Sequence, residues 1–283
     1  MIDLHLHTTA SDGRLAPADL VALAASAGLT ILGVTDHDTT AGLAEARAAA
    51  DPLGVRVIDG LEITAVETGR DVHVLGYFFD PENAGLGSFL LAQRAVRVRR
   101  VREIGHRLAS LGCAVDLDAI LTEVEAQPGR SIGRPRLADA LVEAGHARDR
   151  SDAFNRWLGA GRPGFVARRG PSVAQVVEIV GAAGGITSMA HPGLTGMDDQ
   201  IERFAASGLV ALEARHSEQD MTTEMRYRRM AASMGLLVSG GSDFHADPSY
   251  HIGALGIVAL PPVDFAALEA RASSLRRRSP SVR

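Results

Sequence analysis

The chain opens on an alternation. Ile2, Leu4 and Leu6 are interleaved with Asp3, His5 and His7, the two-residue period of a strand whose faces differ. After Gly13 the period lengthens. Pro17 suits a first helical turn, Leu20, Val21, Leu23 and Ala24 form an apolar stripe, and Gly28 ends it, so a helix is predicted over 17–27. Residues 29–35 are a compact apolar run, the pattern of a buried parallel strand, and they run into Asp36-His37-Asp38-Thr39. An alanine-rich helix over 41–50 and a strand over 55–58 follow, and a break at Gly60 leaves Glu62 just beyond that strand. A fourth strand is predicted over 71–79. It carries His73 and is reached through the turn Glu67-Thr68-Gly69-Arg70 rather than through a helix.

The pattern changes between 87 and 170. Val98, Val101, Ile104, Leu108 and Leu111 recur at helical spacing, and further helices are predicted over 117–125, 136–143 and 151–158. No strand alternation is visible there, so 87–170 reads as a small all-helical insertion. Arg94, Arg97, Arg99, Arg100, Arg102 and Arg107 crowd its first helix; a solvated basic face is the plain expectation and a nucleic-acid patch the sharper one. Strand and helix then alternate again. Helices are predicted over 172–182, 198–206, 221–234 and 266–275. Strands over 185–190, 210–214 and 236–240 end near His191, at Arg215-His216 and at Ser242-Asp243-Phe244-His245 respectively. The arginine-, serine- and proline-rich tail is expected to fray. Repeated β-α units with parallel strands imply an α/β protein, and seven strands favour a barrel over an open sheet. The barrel is thus expected to comprise 1–86 and 171–283, interrupted by the insertion.

Composition narrows the chemistry. In 283 residues, 46% hydrophobic, there is ample material for a core, yet no apolar run of about 18 residues for a membrane span. No basic segment followed by an apolar stretch marks a signal peptide, and a cytoplasmic protein is expected. Cys113 is the single cysteine, which excludes a disulfide framework and a cysteine-based zinc site. All 29 basic residues are arginine. That removes a P-loop lysine, a Schiff-base lysine and a lysine general base, leaving arginine, histidine, backbone amides or metal to hold any phosphate. The net charge of -5 does not suggest a general nucleic-acid coat.

The histidines carry the signal. His5 and His7 point to one side of their strand, close enough to share an ion, and Asp12-Gly13 can fold back over the strand end; two solvated histidines on a half-exposed strand is the competing reading. Of the 10 histidines, His5, His7, His37, His73, His191, His216 and His245 fall on or just after predicted strands, mostly at the C-terminal ends where α/β barrels place active sites. His106 and His146 fall in the insertion, and His251 is unplaced. Asp12, Glu62 and Asp243 join the strand-end set. One such histidine is usually a satisfied core residue, but six with three acids point to a polynuclear metal site. Imidazole and carboxylate without thiolate suit Zn, Mn or Fe. The nine ligands His5, His7, Asp12, His37, Glu62, His73, His191, Asp243 and His245 suffice for two or three divalent ions if Glu62 bridges. Three divalent ions against three carboxylates make a positive pocket that draws phosphate. Adjacent ions generate a hydroxide nucleophile and clamp an in-line displacement, so phosphate-ester hydrolysis is the natural chemistry.

The motifs H-L-H-T-x-x-S-D-G, T-D-H-D-T, Gly60-Leu61-Glu62-Ile63, A-H-P-G and S-D-F-H together resemble those of the PHP (polymerase and histidinol phosphatase) family. They stand in that family's order and span nearly the whole chain outside the insertion. The resemblance implies a distorted seven-stranded β/α barrel with a trinuclear centre. In it His5, His7, Glu62 and Asp243 would hold one ion, Glu62, His73 and His191 the second, and Asp12, His37 and His245 the third. Asp12, His37, Glu62, His191, Asp243 and His245 are the residues through which catalysis would run. Ser131-Ile132-Gly133-Arg134-Pro135 and Arg215-His216-Ser217-Glu218-Gln219 resemble the branch with nucleoside 3′,5′-bisphosphate phosphatases and 5′-3′ exoribonucleases, a resemblance that implies that the insertion 87–170 covers the active site and that Arg134 and His216 would contact substrate phosphate. A helix-entry arginine in solvent is the bland reading of Arg134. Arg136 stands where that branch commonly has histidine and is a further candidate phosphate contact. The expected activity is removal of the 3′-phosphate from nucleoside 3′,5′-bisphosphates. The alternative is 5′-3′ trimming of short 5′-phosphorylated RNA or DNA; histidinol-phosphate hydrolysis and a non-catalytic metal-binding module are weaker readings.

Overall fold

In the computed structural model, which describes residues 1–247 and 255–278, the opening alternation is strand β1 (Ile2–Leu6), followed by α1 (Pro17–Ser26), β2 (Ile31–Val34) and α2 (Leu43–Ala50). Strand β3 (Arg56–Glu67) then turns directly into β4 (Arg70–Tyr77). The long α3 (Ala84–Ser110), α4 (Leu117–Ala126), α5 (Arg134–Glu143) and the short α6 (Arg150–Ala153), which continues as a π-helical turn Phe154–Leu158, make up the strand-free stretch. The remaining elements are α7 (Val173–Ala182), β5 (Ile186–Met189), the short α8 (Pro192–Thr195), α9 (Ile201–Ala206), β6 (Ala211–His216), α10 (Met221–Ser233), β7 (Leu237–Gly241) and α11 (Pro262–Arg278). His251 and the end of the tail lie outside the described residues.

The seven strands pair in sequence order, and the ends of the sheet meet. Asp243 N–H donates to His5 O at 2.9 Å and His7 N–H to Phe244 O at 3.0 Å, which closes the barrel. Close approach requires glycine here: a methyl at Gly241 would overlap the backbone nitrogen and Cβ of His5.

Two expectations are corrected. The sheet is not parallel throughout, because β4 runs antiparallel to both β3 and β5. Glu67 pairs with Arg70, leaving Thr68 and Gly69 as a two-residue loop with φ 49° and 80°, a hairpin turn too short for a crossover. Nor does β3 break at Gly60. The strand runs on through Glu62, and Gly60 marks instead where Val34 O of β2 approaches too closely for a Cβ. The first half of β3 pairs with β2 and the second half with β4, so Glu62 sits mid-strand where the sheet changes direction.

One apolar cluster packs the sheet against α1, α2, α7, α9 and α10, through residues such as Val21, Leu32, Leu61, Val176, Phe204 and Tyr227. A second joins Leu4, Leu75 and Tyr77 to Phe265 and Leu268 of α11. The strand-free stretch has its own cluster, among it Ile104, Leu108, Ile120, Leu137 and Leu141. Helix α3 serves both: Leu86 and Leu90 pack with the barrel and Val101 to Leu108 with the other helices. No helix among the described residues is long and apolar enough to cross a membrane.

Candidate metal centre

The candidate ligands lie on the strands or just after them, each for a local reason. Alternation along β1 turns Asp3, His5 and the following His7 to one side, all fully buried. The loop after β1 is tied down by Asp36, whose oxygens accept from Thr8 N at 2.8 Å, Thr8 Oγ1 at 2.6 Å and Ser11 Oγ at 2.6 Å. That anchorage places Asp12 within 3.3 Å of His245 Nε2 and 3.6 Å of both His7 Nδ1 and His37 Nε2. Because β4 runs backwards, His73 near its start, not its end, reaches the mouth. Asp38, His191 and Asp243 take positive φ angles of 52°, 29° and 56°, backbone strain that clusters where side chains must converge.

Glu62 is the hub. Its Oε2 lies 3.3 Å from His5 Nε2, 3.2 Å from His7 Nε2 and 3.1 Å from His37 Nδ1; its Oε1 lies 2.7 Å from His73 Nδ1 and 3.4 Å from His191 Nε2. Asp243 Oδ1 stands 3.2 Å from His5 Nε2 and 3.1 Å from His7 Nε2. Donor atoms about 2.1 Å from a common ion are themselves about 3.0–3.4 Å apart, the spacing found here. Several of these atoms have no hydrogen-bond partner despite full burial: His7 Nδ1 and Nε2, His37 Nδ1, His191 Nδ1 and Glu62 Oε1. Buried polar atoms are rarely left so, and divalent cations fit them. Four groups of donor atoms are spaced to hold an ion: His5, His7, Glu62 and Asp243; His7, Asp12, His37 and His245; His5, Glu213 and His216; and His37, Glu62 and His73. His191 adjoins the last through Glu62.

The electrostatics agree. Burial alone would lower the pKa of His7, but the Asp243 and Glu62 carboxylates, 3.1 and 3.2 Å from Nε2, carry it up to about 10. Burial would likewise raise Glu62 and Asp243, yet the surrounding histidines hold both well below the usual carboxylate range. The buried carboxylates thus retain cationic partners, protons when no other cation competes, and a divalent ion can replace those protons.

A cavity of about 520 Å³ opens over this hub. Asp12, His37, Glu62, His73, His191, Asp243 and His245 line one part of it, and Arg97, Arg134, Arg150, Phe154 and Arg168 line another. Arg134 reaches the wall. Its guanidinium lies over the rings of Phe154 and Phe165, at 5.7 and 5.9 Å, and Nη2 is 3.6 Å from Asp71. Arg136 does not line the cavity; Glu123 accepts from it at 2.7 and 3.0 Å, and Glu143 lies at 3.4 Å. His216 is buried behind the wall, with Nε2 3.6 Å from Asp243 Oδ2 and Nδ1 accepting from Glu218 N at 3.1 Å.

Sequence reasoning missed Glu213 and the inward half of the arginine-rich helix. Glu213 is fully buried; it accepts from His5 Nδ1 at 2.9 Å with one oxygen and from His191 N at 2.7 Å with the other. A lone acid within the apolar run Ala211-Leu212-Glu213-Ala214 was the available signal. Arg97 and Arg100 are buried rather than solvated, Arg97 against Asp38 and Thr64 and Arg100 against Val166 O. Their spacing of three marks a helix face turned inward, a reading that the exposed Arg99, Arg102 and Arg107 obscure.

The chain matches the PHP domain family over residues 3–140. A 5′-3′ exoribonuclease of Haemophilus influenzae is 36% identical over 248 residues, covering 86% of this chain and 89% of its own. A 3′,5′-nucleoside bisphosphate phosphatase of Chromobacterium violaceum is 34% identical over 250 residues, covering 87% of each chain. A solved structure from Bifidobacterium adolescentis, assigned as a metal-dependent phosphoesterase, superimposes with a TM-score of 0.87 at 35% identity, covering 95% of this chain and 96% of that one. The chain belongs to the PHP-domain family of metal-dependent phosphoesterases.

Proposed function

We propose that this protein is a cytoplasmic phosphohydrolase that removes the 3′-phosphate from nucleoside 3′,5′-bisphosphates, using two or three divalent ions, Mn, Zn or Fe. Glu62 carries the reading: five imidazoles meet its two oxygens on the floor of a cavity that also bears arginine. His5, His7, Glu62 and Asp243 would hold one ion, Glu62, His73 and His191 a second, and Asp12, His37 and His245 a third, with His7 and His37 each facing two of these groups. When bound, such ions bring the pKa of water toward neutrality and offset the charge that builds on phosphoryl oxygens.

The protein's own groups do the rest. Glu213 fixes the His5 ring through Nδ1 and so aims Nε2 at the centre. Asp36 holds the loop that presents Asp12. Arg134 offers a rigid fork of donors to phosphate oxygens, preorganised by its aromatic neighbours. The walls around these groups are buried, which strengthens every electrostatic contact made inside.

The same machinery would cut a phosphodiester next to the first nucleotide of a short 5′-phosphorylated oligonucleotide, and similarity to the Haemophilus exoribonuclease favours keeping this second reading. The deciding assay supplies Mn²⁺ and adenosine 3′,5′-bisphosphate and follows phosphate and nucleotide together. One phosphate released with AMP accumulating is the expected result. Mononucleotides appearing only from the oligomer would move the assignment to the nuclease, and no product from either would overturn both.

A further inference from the structure

Strand β6 supplies none of the nine candidate ligands, yet it runs between β5 and β7, and the loops after those two strands carry His191 and Asp243. The turn that follows β6 is tied to both loops. Ser217 Oγ donates to the Ser242 carbonyl at 2.8 Å, one residue before Asp243. Gln219 Oε1 accepts from Gly193 N at 2.9 Å, two residues after His191. Its Nε2 donates back to Glu213 O and Ala214 O at 3.1 and 2.8 Å, which fixes the amide on its own strand.

His216, at the end of β6, has a side chain that is 0% exposed, and it does not line the cavity. Glu218 N–H donates to its Nδ1 at 3.1 Å. A neutral imidazole has one donor and one acceptor nitrogen, so an accepting Nδ1 puts the ring proton on Nε2. That Nε2 is then a buried N–H, and it has no hydrogen-bond partner, a costly state. It faces Asp243 Oδ2 at 3.6 Å, and an approach of about 0.6 Å makes an ordinary N–H···O bond. Oδ1 of the same carboxylate is the atom that meets His5 Nε2 and His7 Nε2, at 3.2 and 3.1 Å. A protonated Nε2 cannot ligate, and both Glu213 oxygens already accept, from His5 Nδ1 and His191 N. His5, Glu213 and His216 therefore make a brace of hydrogen-bonding groups rather than a further ion site.

We propose that His216 is a positioning residue whose Nε2–H holds Asp243 Oδ2, so that Asp243 presents Oδ1 alone to the ion shared with His5, His7 and Glu62. Asp243 needs such a hold, because its backbone sits at φ 56°, a strained value for a residue with a side chain. The role differs from the phosphate contact that the motif resemblance implies for His216. It rests on the metal-centre reading above but not on the identity of the substrate.

The test titrates metal-free protein with Mn²⁺ and with Zn²⁺ against a competing indicator, in the wild type, His216→Phe, His216→Gln and His216→Asn. Binding of inorganic phosphate is then measured at saturating metal. Phenylalanine keeps the ring shape and removes the donor. Glutamine returns an N–H at the level of Nε2, whereas asparagine, one bond shorter, stops at the level of Nδ1. His216→Phe should weaken binding of one ion about 10–100-fold, the usual cost of losing a partner behind a ligand. His216→Gln should restore it to within fivefold of wild type, and His216→Asn should not. Phosphate affinity at full metal occupancy should stay within threefold of wild type throughout. Metal affinity within threefold of wild type in His216→Phe overturns the proposal, and phosphate binding weakened tenfold in that case gives His216 to the substrate instead. Equal weakening in the glutamine and asparagine variants also overturns it, because lost packing then explains the effect. If His216→Phe shows no cooperative melting, the other pair decides: at least tenfold tighter metal binding by the glutamine variant sustains the role, and equal affinities end it. A wild type that takes up neither ion removes the metal centre itself and the positioning role with it, a failure distinct from that of the brace alone.

Discussion

Replacing Glu213 by glutamine isolates the group that orients the candidate ligands His5 and His191 without itself lining the cavity. The two side chains have the same shape, so packing is conserved and only hydrogen-bonding capacity changes. Each carboxylate oxygen of Glu213 accepts one bond, from His5 Nδ1 at 2.9 Å and from His191 N at 2.7 Å. An amide has a single acceptor oxygen, and its NH₂ must then face one of the two donors. If it faces His191 N–H, a part-buried donor loses its acceptor, at about 1–3 kcal/mol of stability. If it faces His5, the ring must change tautomer, and Nε2, the nitrogen between Glu62 and Asp243, is then protonated and lost as a ligand. Either way Glu213→Gln should weaken metal binding about 10–100-fold, the usual cost of losing such an orienting partner. Titration of chelator-treated protein with Mn²⁺ against a competing indicator reads that affinity, and thermal unfolding of the metal-free protein reads the stability loss. Affinity within threefold of wild type, with the metal-free melting temperature unchanged, would refute the reasoning.

Other outcomes follow from the same geometry. Stripping the metal should lower the melting temperature; readding an ion at about 1,000 times its dissociation constant should return about 4 kcal/mol, and the idea fails if chelation leaves melting unchanged. The His7 pKa of about 10 lies above its ordinary 6.5, so its contribution to the metal-free fold is complete below pH 6.5 and is lost as pH rises through 10. Metal affinity should climb over that same window because the ion displaces the proton; metal-free melting that rises from pH 7 to 10 would contradict this. Arg136→Ala should change kcat/KM less than twofold and stability by less than about 1 kcal/mol, since Arg136 pairs with Glu123 and Glu143 away from the cavity; a tenfold loss of kcat/KM would place it in the site after all. Gly241→Ala, forced against His5, should cost about 1–3 kcal/mol in denaturant unfolding, and a neutral result would mean that the barrel seam yields more easily than its packing implies.

Much of the fold was legible because its signals are local. The two-residue period of β1, the apolar run of β2 and the helical stripes of α1 and α7 each lie within one window of sequence. Glu62 and His73 were legible as candidate ligands, but not how they meet. The hairpin at Thr68-Gly69 could be read from its residues; that it turns β4 against both neighbours depends on where β5 pairs, more than 100 residues away in sequence. The inward arginines were missed for a similar reason. Arg97 and Arg100 share a helix with exposed Arg99 and Arg102, and only the tertiary positions of Asp38 and Val166 decide which face is buried.

That reversed strand is also what makes the centre possible. In an all-parallel barrel each strand presents ligands only at its C-terminal end, spaced around a ring. Here β3 extends past the mouth to pair with β4 over eight residue pairs, Gly60 with Tyr77 through Glu67 with Arg70, which carries Glu62 inward beyond the point where β2 ends. The antiparallel partner returns His73 to the same level, beside the carboxylate rather than across the ring. A single acid thereby meets imidazoles from β1, the β2 loop, β4 and the β5 loop at distances of 2.7 to 3.4 Å. The hairpin's register, more than the number of strands, sets that geometry. Shifting it by one residue would turn His73 to the opposite face and leave Glu62 without the partner nearest to it.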